Sequence, residues 1–398
     1  MIIKYNKDNV LCNSLLILFA LYLAQPAVGG AGFFGVIILF LICAISLVYL
    51  VKCAFSKFEK DVVLILWILF FFYNTLTYLF SERILEYTEF RQLVLNMLPM
   101  FAFYQFTQKG ILNEKKIKVF FVAMFLLFFI SFFNQSSLLS EASGREENIN
   151  NMSYFIMGLL PFVFLFRRAL IISCLLVVLS WLAVISSKRA VLILCMIAIL
   201  LFLYSFIVRY KGQKKFVGVI FASLIGYVFF LTSVYFYNKF GIGERFEERL
   251  LLMIYEGHTS GRDTLFLGLY NAWLNSNEIL VYLFGLGYRG ALDATGVPTH
   301  NDLIKSLGEG GILGLILFLG LMAALGSRWF RSFRKTEHRL AYTMYLCSML
   351  VAVAASRWYG SAFFYMNCVL LPYLLASQKA YYDFKKGVVV GSRSDNLV

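Results

Sequence analysis

The residues of this sequence that are best suited to chemistry are one histidine and a few arginines that border apolar stretches. His300 stands in "VPTHNDLIKSLGEGG", directly before an apolar run. Arg189 lies between two apolar runs in "SSKRAVLIL", and Arg262 lies in "SGRDTLFLGLYNAW". Arginine binds phosphate oxygens through a rigid fork of donors and keeps its charge, whereas histidine exchanges a proton near neutral pH. This combination suits a reaction in which a hydroxyl group attacks and a phosphate group leaves.

Two sequence patterns place these side chains at helix starts. Ser260 and Asp263 have the spacing of a capping box, and the helix that begins there holds its arginine beside free backbone N–H groups, which favours anion binding. Thr299 and Asp302 form a second capping box, which predicts that His300 lies in the first turn of the next helix. On position alone, a role for His300 in helix capping or at the membrane surface is equally consistent with the sequence.

Other basic residues also border the apolar runs on the side predicted to face outward. They are Lys188, Arg83, Arg91, Arg289 and Arg357. For Arg83, Arg289 and Arg357, the simpler interpretation is a membrane-edge side chain that extends to water. Arg189 differs because its connection contains little other polar material and positive charge is disfavoured on the outer side. An arginine kept in such a place usually has an anionic partner, which favours a functional role.

The elements that must position these residues are predicted to be membrane helices. The chain has 398 residues, of which 61% are hydrophobic and 15% are charged, whereas soluble proteins carry about 25% charged residues. Apolar runs long enough to cross ~30 Å of hydrocarbon number about twelve, and in lipid their backbone groups must bond within each segment, as they do in helices. The runs lie near 10–24, 33–51, 62–80, 92–106, 117–133, 152–166, 169–185, 190–208, 216–238, 311–326, 341–355 and 361–378. We therefore expect an all-α polytopic membrane protein.

The distribution of charge predicts the orientation and the division of the chain. Basic residues concentrate in alternate connections, which places both termini in the cytoplasm. Residues 1–238 then form nine spans with short loops, 239–310 a long periplasmic connection with short amphipathic helices, 311–378 the last three spans, and 379–398 a cytoplasmic tail. The net charge of +14 is dispersed over short loops rather than gathered on one face, so no nucleic-acid partner is expected.

Missing patterns disfavour several other functions. The first outer connection, "QPAVGGAGFF", has no D-x-D motif and no charge at all, which weakens a metal-dependent glycosyltransferase. No carboxylate pair has a clear glycosidase role, and no Walker A or GxSxG motif is present. Charged residues are predicted to avoid the span centres, which disfavours an ion-coupled transporter. A lipid-linked oligosaccharide flippase with about twelve spans stays as the competing class.

Three segments, taken in order, resemble the bacterial O-antigen polymerase and O-antigen ligase superfamily. "SSKRAVLIL" resembles its small-or-polar–Arg–Ala signature, and "SGRDTLFLGLYNAW" resembles its Gly-Arg…Trp segment. "LFGLGYRG" followed by "PTHNDLIKSLGEGGILGLIL" resembles its G-x-G and His-Asn…Glu-x-Gly block. The motifs cover about 186–320, and the rest of the chain matches in hydropathy alone. Lys188 departs from the pattern, which more usually has a small or polar residue before the arginine.

The resemblance implies a GT-C-like inner-membrane glycosyltransferase whose site faces the periplasm and needs no metal or other cofactor. Its donor would be an undecaprenyl-diphosphate-linked glycan. Arg189 and Arg262 would hold the diphosphate, and His300 would act as a base or orient the acceptor hydroxyl, with support from Asn301. A polymerase, which we favour, would transfer the glycan to the next lipid-linked repeat unit, whereas a ligase would transfer it to the lipid A core. Membrane lipids and a chain-length regulator are further expected partners.

Overall fold

The computed structural model describes most of the predicted helical regions of the chain. The described residues are 7–24, 32–55, 61–80, 87–143, 151–186, 188–209, 262–296, 301–331, 336–359, 361 and 364–385, together with isolated residues between 220 and 234. Over these residues the chain is 87% helical and contains no strand, which confirms the prediction of an all-α fold. The predicted ninth span, near 216–238, and the following stretch up to 261 lie largely outside the described residues.

The helices of the first half begin and end close to the predicted spans. They are α1 (Lys7–Ala24), α2 (Gly32–Phe55), α3 (Val62–Leu79), α4 (Tyr87–Met97), α5 (Pro99–Gln108), α6 (Glu114–Ser143), α7 (Tyr154–Val163), α8 (Ala169–Ile185) and α9 (Arg189–Arg209). A 3₁₀ turn, Asn151–Ser153, leads into α7.

The break between α4 and α5 divides one predicted span into two helices. Pro99 has no N–H to donate to the Leu95 carbonyl, so the helix cannot continue unchanged. The Leu95 carbonyl instead accepts a hydrogen bond from the Cys368 thiol at 3.0 Å. The indole N–H of Trp67 donates to the Met97 carbonyl at 3.1 Å. Neighbouring helices therefore satisfy the backbone groups that the proline leaves open, as an apolar interior requires.

From residue 262 onward, the described residues form three short helices followed by three long ones. They are α10 (Arg262–Leu274), α11 (Ile279–Phe284), α12 (Gly290–Thr295), α13 (Asp302–Arg331), α14 (Arg339–Ala355) and α15 (Asn367–Lys385). The short helices lie in the region predicted as a long connection. Helix α13 begins upstream of the predicted span start at 311, so its first turns come from that connection as well.

Six helices of the described part of the chain are long and apolar enough to cross a membrane. They are Lys7–Ala24, Phe33–Cys53, Val62–Leu79, Glu114–Asn134, Ala190–Val208 and Asp302–Arg331. Their outer surfaces are apolar: Phe33, Phe34 and Phe40, for example, are 77%, 79% and 71% exposed. Water disfavours such a surface, whereas lipid accepts it. The helices therefore indicate a membrane protein, while the count of twelve spans, the inner membrane and the positions of the termini stay predictions.

The core lies where α5 and α7 are enclosed by other helices. Phe101 and Phe103 of α5 have no exposed surface, and neither have Ile156, Leu159 and Leu160 of α7. Helix α5 packs against α2 and α15, and α7 packs against α14. Helix α13 packs along α3, and α10, α11 and α12 pack against α13 near its start. That start is where two of the three segments singled out by their sequence come together.

Candidate functional site

Asn301 caps the first turn of α13. Its side-chain Oδ1 accepts hydrogen bonds from the backbone N–H groups of Leu303 at 2.9 Å and Ile304 at 3.2 Å. A helix is thus present where one was predicted, but it begins at Asp302 and its cap is Asn301. The predicted capping box of Thr299 and Asp302, with His300 in the first turn, is wrong because the Asn301 side chain already bonds the first free N–H groups. His300 and Thr299 lie outside the described residues.

Three charged residues repeat on one face of α13 and are buried. Asp302, Lys305 and Glu309 have the spacing that places side chains over one another on a helix. Asp302 has no exposed surface, Lys305 is 4% exposed and Glu309 is 9% exposed. The burial of this cluster was not predicted from the sequence, because the apolar span was predicted to start at 311 and these residues were assigned to the periplasmic connection. Their helical spacing was a visible signal, whereas their burial was not.

Lys305 lies between a carboxylate and two aromatic rings. Its Nζ is 3.7 Å from Oε2 of Glu309. The same atom lies 5.8 Å from the ring centre of Tyr288 and 5.5 Å from that of Tyr359, which are cation–π distances. The hydroxyl of Tyr359 is 3.0 Å from Oγ of Ser306. A buried ammonium needs such partners, because burial without them would cost several kcal/mol.

Asp302 ties the start of α13 to the connection between α14 and α15. Its Oδ2 accepts a hydrogen bond from the backbone N–H of Trp358. The positive charges of Lys305 and Arg357 both act on this carboxylate. Trp358 also packs against Trp67 of α3, with ring centres 5.6 Å apart, so the connection between α14 and α15 is held against α3 as well. Arg357, which the sequence predicts as a membrane-edge side chain or as a supporting residue of the site, therefore lies beside the start of α13.

A glycine crossing fixes the "LFGLGYRG" turn against α13. Gly311 has φ 61° and interrupts the helix, and Gly285 has φ 80°. A Cβ on Gly311 would lie 2.5 Å from the backbone nitrogen of Gly285, so only glycine allows this approach. The Gly308 carbonyl accepts a hydrogen bond from Leu286 N–H at 2.8 Å, and the Gly310 carbonyl accepts one from the Tyr73 hydroxyl.

Helix α10 packs directly on α13 next to this crossing. A Cβ on Gly308 would lie 2.6 Å from the side chain of Leu269. The indole N–H of Trp273 donates to the Val281 carbonyl at 3.1 Å, which joins α10 to α11. The second and third segments of the sequence resemblance are thus in contact. Arg262 begins α10, and its side chain lies outside the described part of the chain.

The remaining basic residues of the predicted site are spread over several elements. Arg189 begins α9, but its side chain lies outside the described part of the structure. Lys188, just before it, has its Nζ 5.3 Å from the ring centre of Tyr154. Arg289 precedes α12 in a left-handed conformation, with φ 65° and ψ 8°.

Of the other two arginines, the structure describes only one. Arg91 lies half-buried on α4, and Arg83 lies outside the described ranges. Among the residues that the structure describes, no group of three histidine, cysteine, aspartate or glutamate side chains is arranged to hold a metal ion.

Comparison of the chain with models of known protein families finds no match, and comparison with curated proteins finds none either. The fold and the site therefore define the class of protein by themselves. It is an almost entirely helical protein with helices suited to a membrane and a buried charged cluster at the start of one of them.

Proposed function

We propose that this protein is an inner-membrane glycosyltransferase that polymerises undecaprenyl-diphosphate-linked repeat units on the periplasmic face. Its product would be an O-antigen or a related surface polysaccharide. One observation carries the proposal: two of the three segments that resemble the polymerase and ligase superfamily pack on each other, with Leu269 of α10 against Gly308 of α13. Segments that act on one substrate must meet in space, and the contact joins residues that are 39 positions apart in the chain (308 − 269).

The proposed reaction uses the basic residues to bind the donor. Arg189 and Arg262 hold the diphosphate of the donor glycan, and Arg357 lies beside the start of α13. As the sugar–phosphate bond breaks, negative charge grows on the departing lipid diphosphate. The guanidinium groups stabilise that charge and thereby lower the barrier to transfer. The free energy for transfer comes from the sugar–phosphate bond that breaks.

His300 deprotonates the attacking hydroxyl in this proposal. The acceptor oxygen forms the new glycosidic bond and its proton passes to the imidazole, which acts near neutral pH. Asn301 supports this step through the backbone, since its side chain caps α13 and its carbonyl accepts from Lys305 N–H at 3.0 Å.

The test is synthesis by the full-length protein purified in detergent. The substrate is a lipid-diphosphate-linked repeat unit, and the product is resolved as a ladder on a gel. We expect a ladder from the wild type and none from His300→Ala or Arg189→Ala. His338→Ala and Arg168→Ala serve as matched controls, because His338 precedes α14, beyond the far end of α13, and Arg168 is exposed before α8.

The alternative acceptor separates polymerase from ligase. Transfer that requires added lipid A core, without a ladder from the repeat unit alone, would make the protein an O-antigen ligase. Absence of product with either acceptor would contradict the glycosyltransferase proposal and favour a lipid-linked oligosaccharide flippase. A ladder that survives His300→Ala would leave the polymerase but remove the histidine from the mechanism.

A further inference from the structure

A small cleft between α3 and α13 contains the buried ion pair. Asn74 and Thr77 line it from α3, Tyr288 and Tyr359 contribute their side chains, and Lys305 and Glu309 form its charged wall. The cleft has room for about one water molecule or one hydroxyl group. At 1.5 Å per residue, Lys305 and Glu309 lie about 6 and 12 Å along the helix from Asn301. The cleft therefore lies within about 12 Å of the start of α13.

The lining of the cleft matches a hydroxyl group better than a phosphate. Lys305 and Glu309 face each other at 3.7 Å, so the charge available to a phosphate is largely cancelled. A hydroxyl group can donate to a carboxylate and accept from an ammonium at the same time. Tyrosine rings and a side-chain amide are also groups that surround polar, uncharged ligands.

A purely structural role explains the cluster less well. Replacing a buried ion pair by well-packed apolar residues is often neutral or stabilising, so such a pair adds little to stability. Ionisable residues within membrane segments are costly and generally mark functional positions. The pair also faces a cleft rather than a fully packed interior.

We propose that this cleft binds one hydroxyl group of the acceptor sugar, with Glu309 accepting its hydrogen bond and Lys305 donating to its oxygen. The inference rests on the proposed glycosyltransferase function. It assigns the acceptor side of the site to α3 and α13, apart from the arginines that hold the donor. Lys305 and Glu309 set the acceptor's position and thereby its specificity.

The test measures the acceptor and the donor separately. The acceptor is a soluble glycoside of the repeat unit, which cannot act as a donor, and the donor is the lipid-diphosphate-linked glycan. We expect Glu309→Gln and Lys305→Met to raise the acceptor KM about tenfold, the loss typical of a charged hydrogen bond, and to leave the donor KM unchanged. Glu114→Gln is the matched control, because Glu114 and Lys118 form an ion pair of the same spacing on α6.

A set of acceptors that each lack one hydroxyl identifies the contact. With the wild type, one of these acceptors should have a KM about tenfold higher than that of the complete acceptor. With Glu309→Gln the KM of that acceptor should rise no further, because two changes to one contact are not additive. If Glu309→Gln does not fold, Glu309→Asp keeps the charge beside Lys305 and should show the same coupling with a smaller loss.

The outcomes separate the inference from the function on which it rests. An inactive wild type overturns both. An active wild type with an unchanged acceptor KM in the cleft variants overturns the inference alone, as does an equal loss with every deoxy acceptor.

Discussion

Asp302 has no exposed surface, and its carboxylate joins two distant parts of the chain. It accepts a hydrogen bond from Trp358 N–H, and the charges of Lys305 and Arg357 act on it. A buried carboxylate is costly unless it is paired and hydrogen-bonded. Here those partners come from α13 and from the connection after α14, so one residue holds that connection against the start of α13.

Replacing Asp302 by asparagine should weaken the contact between α13 and the connection after α14. Asp302→Asn keeps the shape of the side chain but removes the charge that Lys305 and Arg357 face, and we expect the free energy of unfolding to fall by about 1–3 kcal/mol. Thermal unfolding of the purified protein in detergent measures the change. Asp293→Asn, an exposed aspartate of α12, should leave Tm unchanged. Equal stability of Asp302→Asn and the wild type would contradict the role of the carboxylate.

The interruption of α13 at Gly311 is what allows α11 and the following turn to lie against it. The backbone at Gly311 has φ 61°, and the backbone of Leu283 and Gly285 lies too close for a side chain at Gly311. A side chain at Gly285 would in turn meet the backbone of α13. The carbonyls near the break are satisfied by Leu286 and Tyr73 rather than by the helix. This crossing also sets the position of Tyr288 over Lys305, so a backbone feature shapes the site.

A methyl group at the crossing should be poorly tolerated. Gly311→Ala combines a left-handed conformation, which costs about 1–3 kcal/mol, with a clash against the Leu283–Gly285 backbone. We expect a marked loss of folded protein, measured as the monodisperse yield and Tm after purification. Gly326→Ala is the control on the same helix, where no atom lies within 4 Å of the added methyl. Because alanine favours helix by about 1 kcal/mol, the control should be neutral or slightly stabilising. Equal effects at the two positions would contradict this explanation.

At the scale of the whole molecule, the surface and the length of α13 argue for a membrane. Large apolar side chains are exposed along the outer helices, where only lipid would accept them. The part of α13 that follows the interruption at Gly311, residues 312–331, spans about 30 Å at 1.5 Å per residue, which matches the ~30 Å of the hydrocarbon layer. Its two ends are therefore expected on opposite faces of the bilayer.

Cysteine labelling in spheroplasts tests this orientation. Asn275→Cys lies in the connection between α10 and α11, which both pack on α13, and Glu337→Cys lies between α13 and α14 with 70% of the native side chain exposed. We expect an impermeant maleimide to label the first from outside and the second only after permeabilisation. A Cys174→Ser background removes a native cysteine that is exposed. Labelling of both sites from one side would show that α13 does not span, and reversed labelling would invert the topology.

The sequence by itself determined the helical class and most helix positions, because long apolar runs leave the backbone few other ways to form its hydrogen bonds in lipid. It also predicted a helix start near Asn301, since capping is a local interaction. Only the tertiary structure decided that Lys305 and Glu309 are buried together, and that Gly285 meets Gly311. Those features depend on contacts between distant segments, which neither local spacing nor hydropathy encodes. For the same reason the sequence predicted a helix from about residue 300 but assigned its first turns to the periplasmic connection, and did not predict that they are buried.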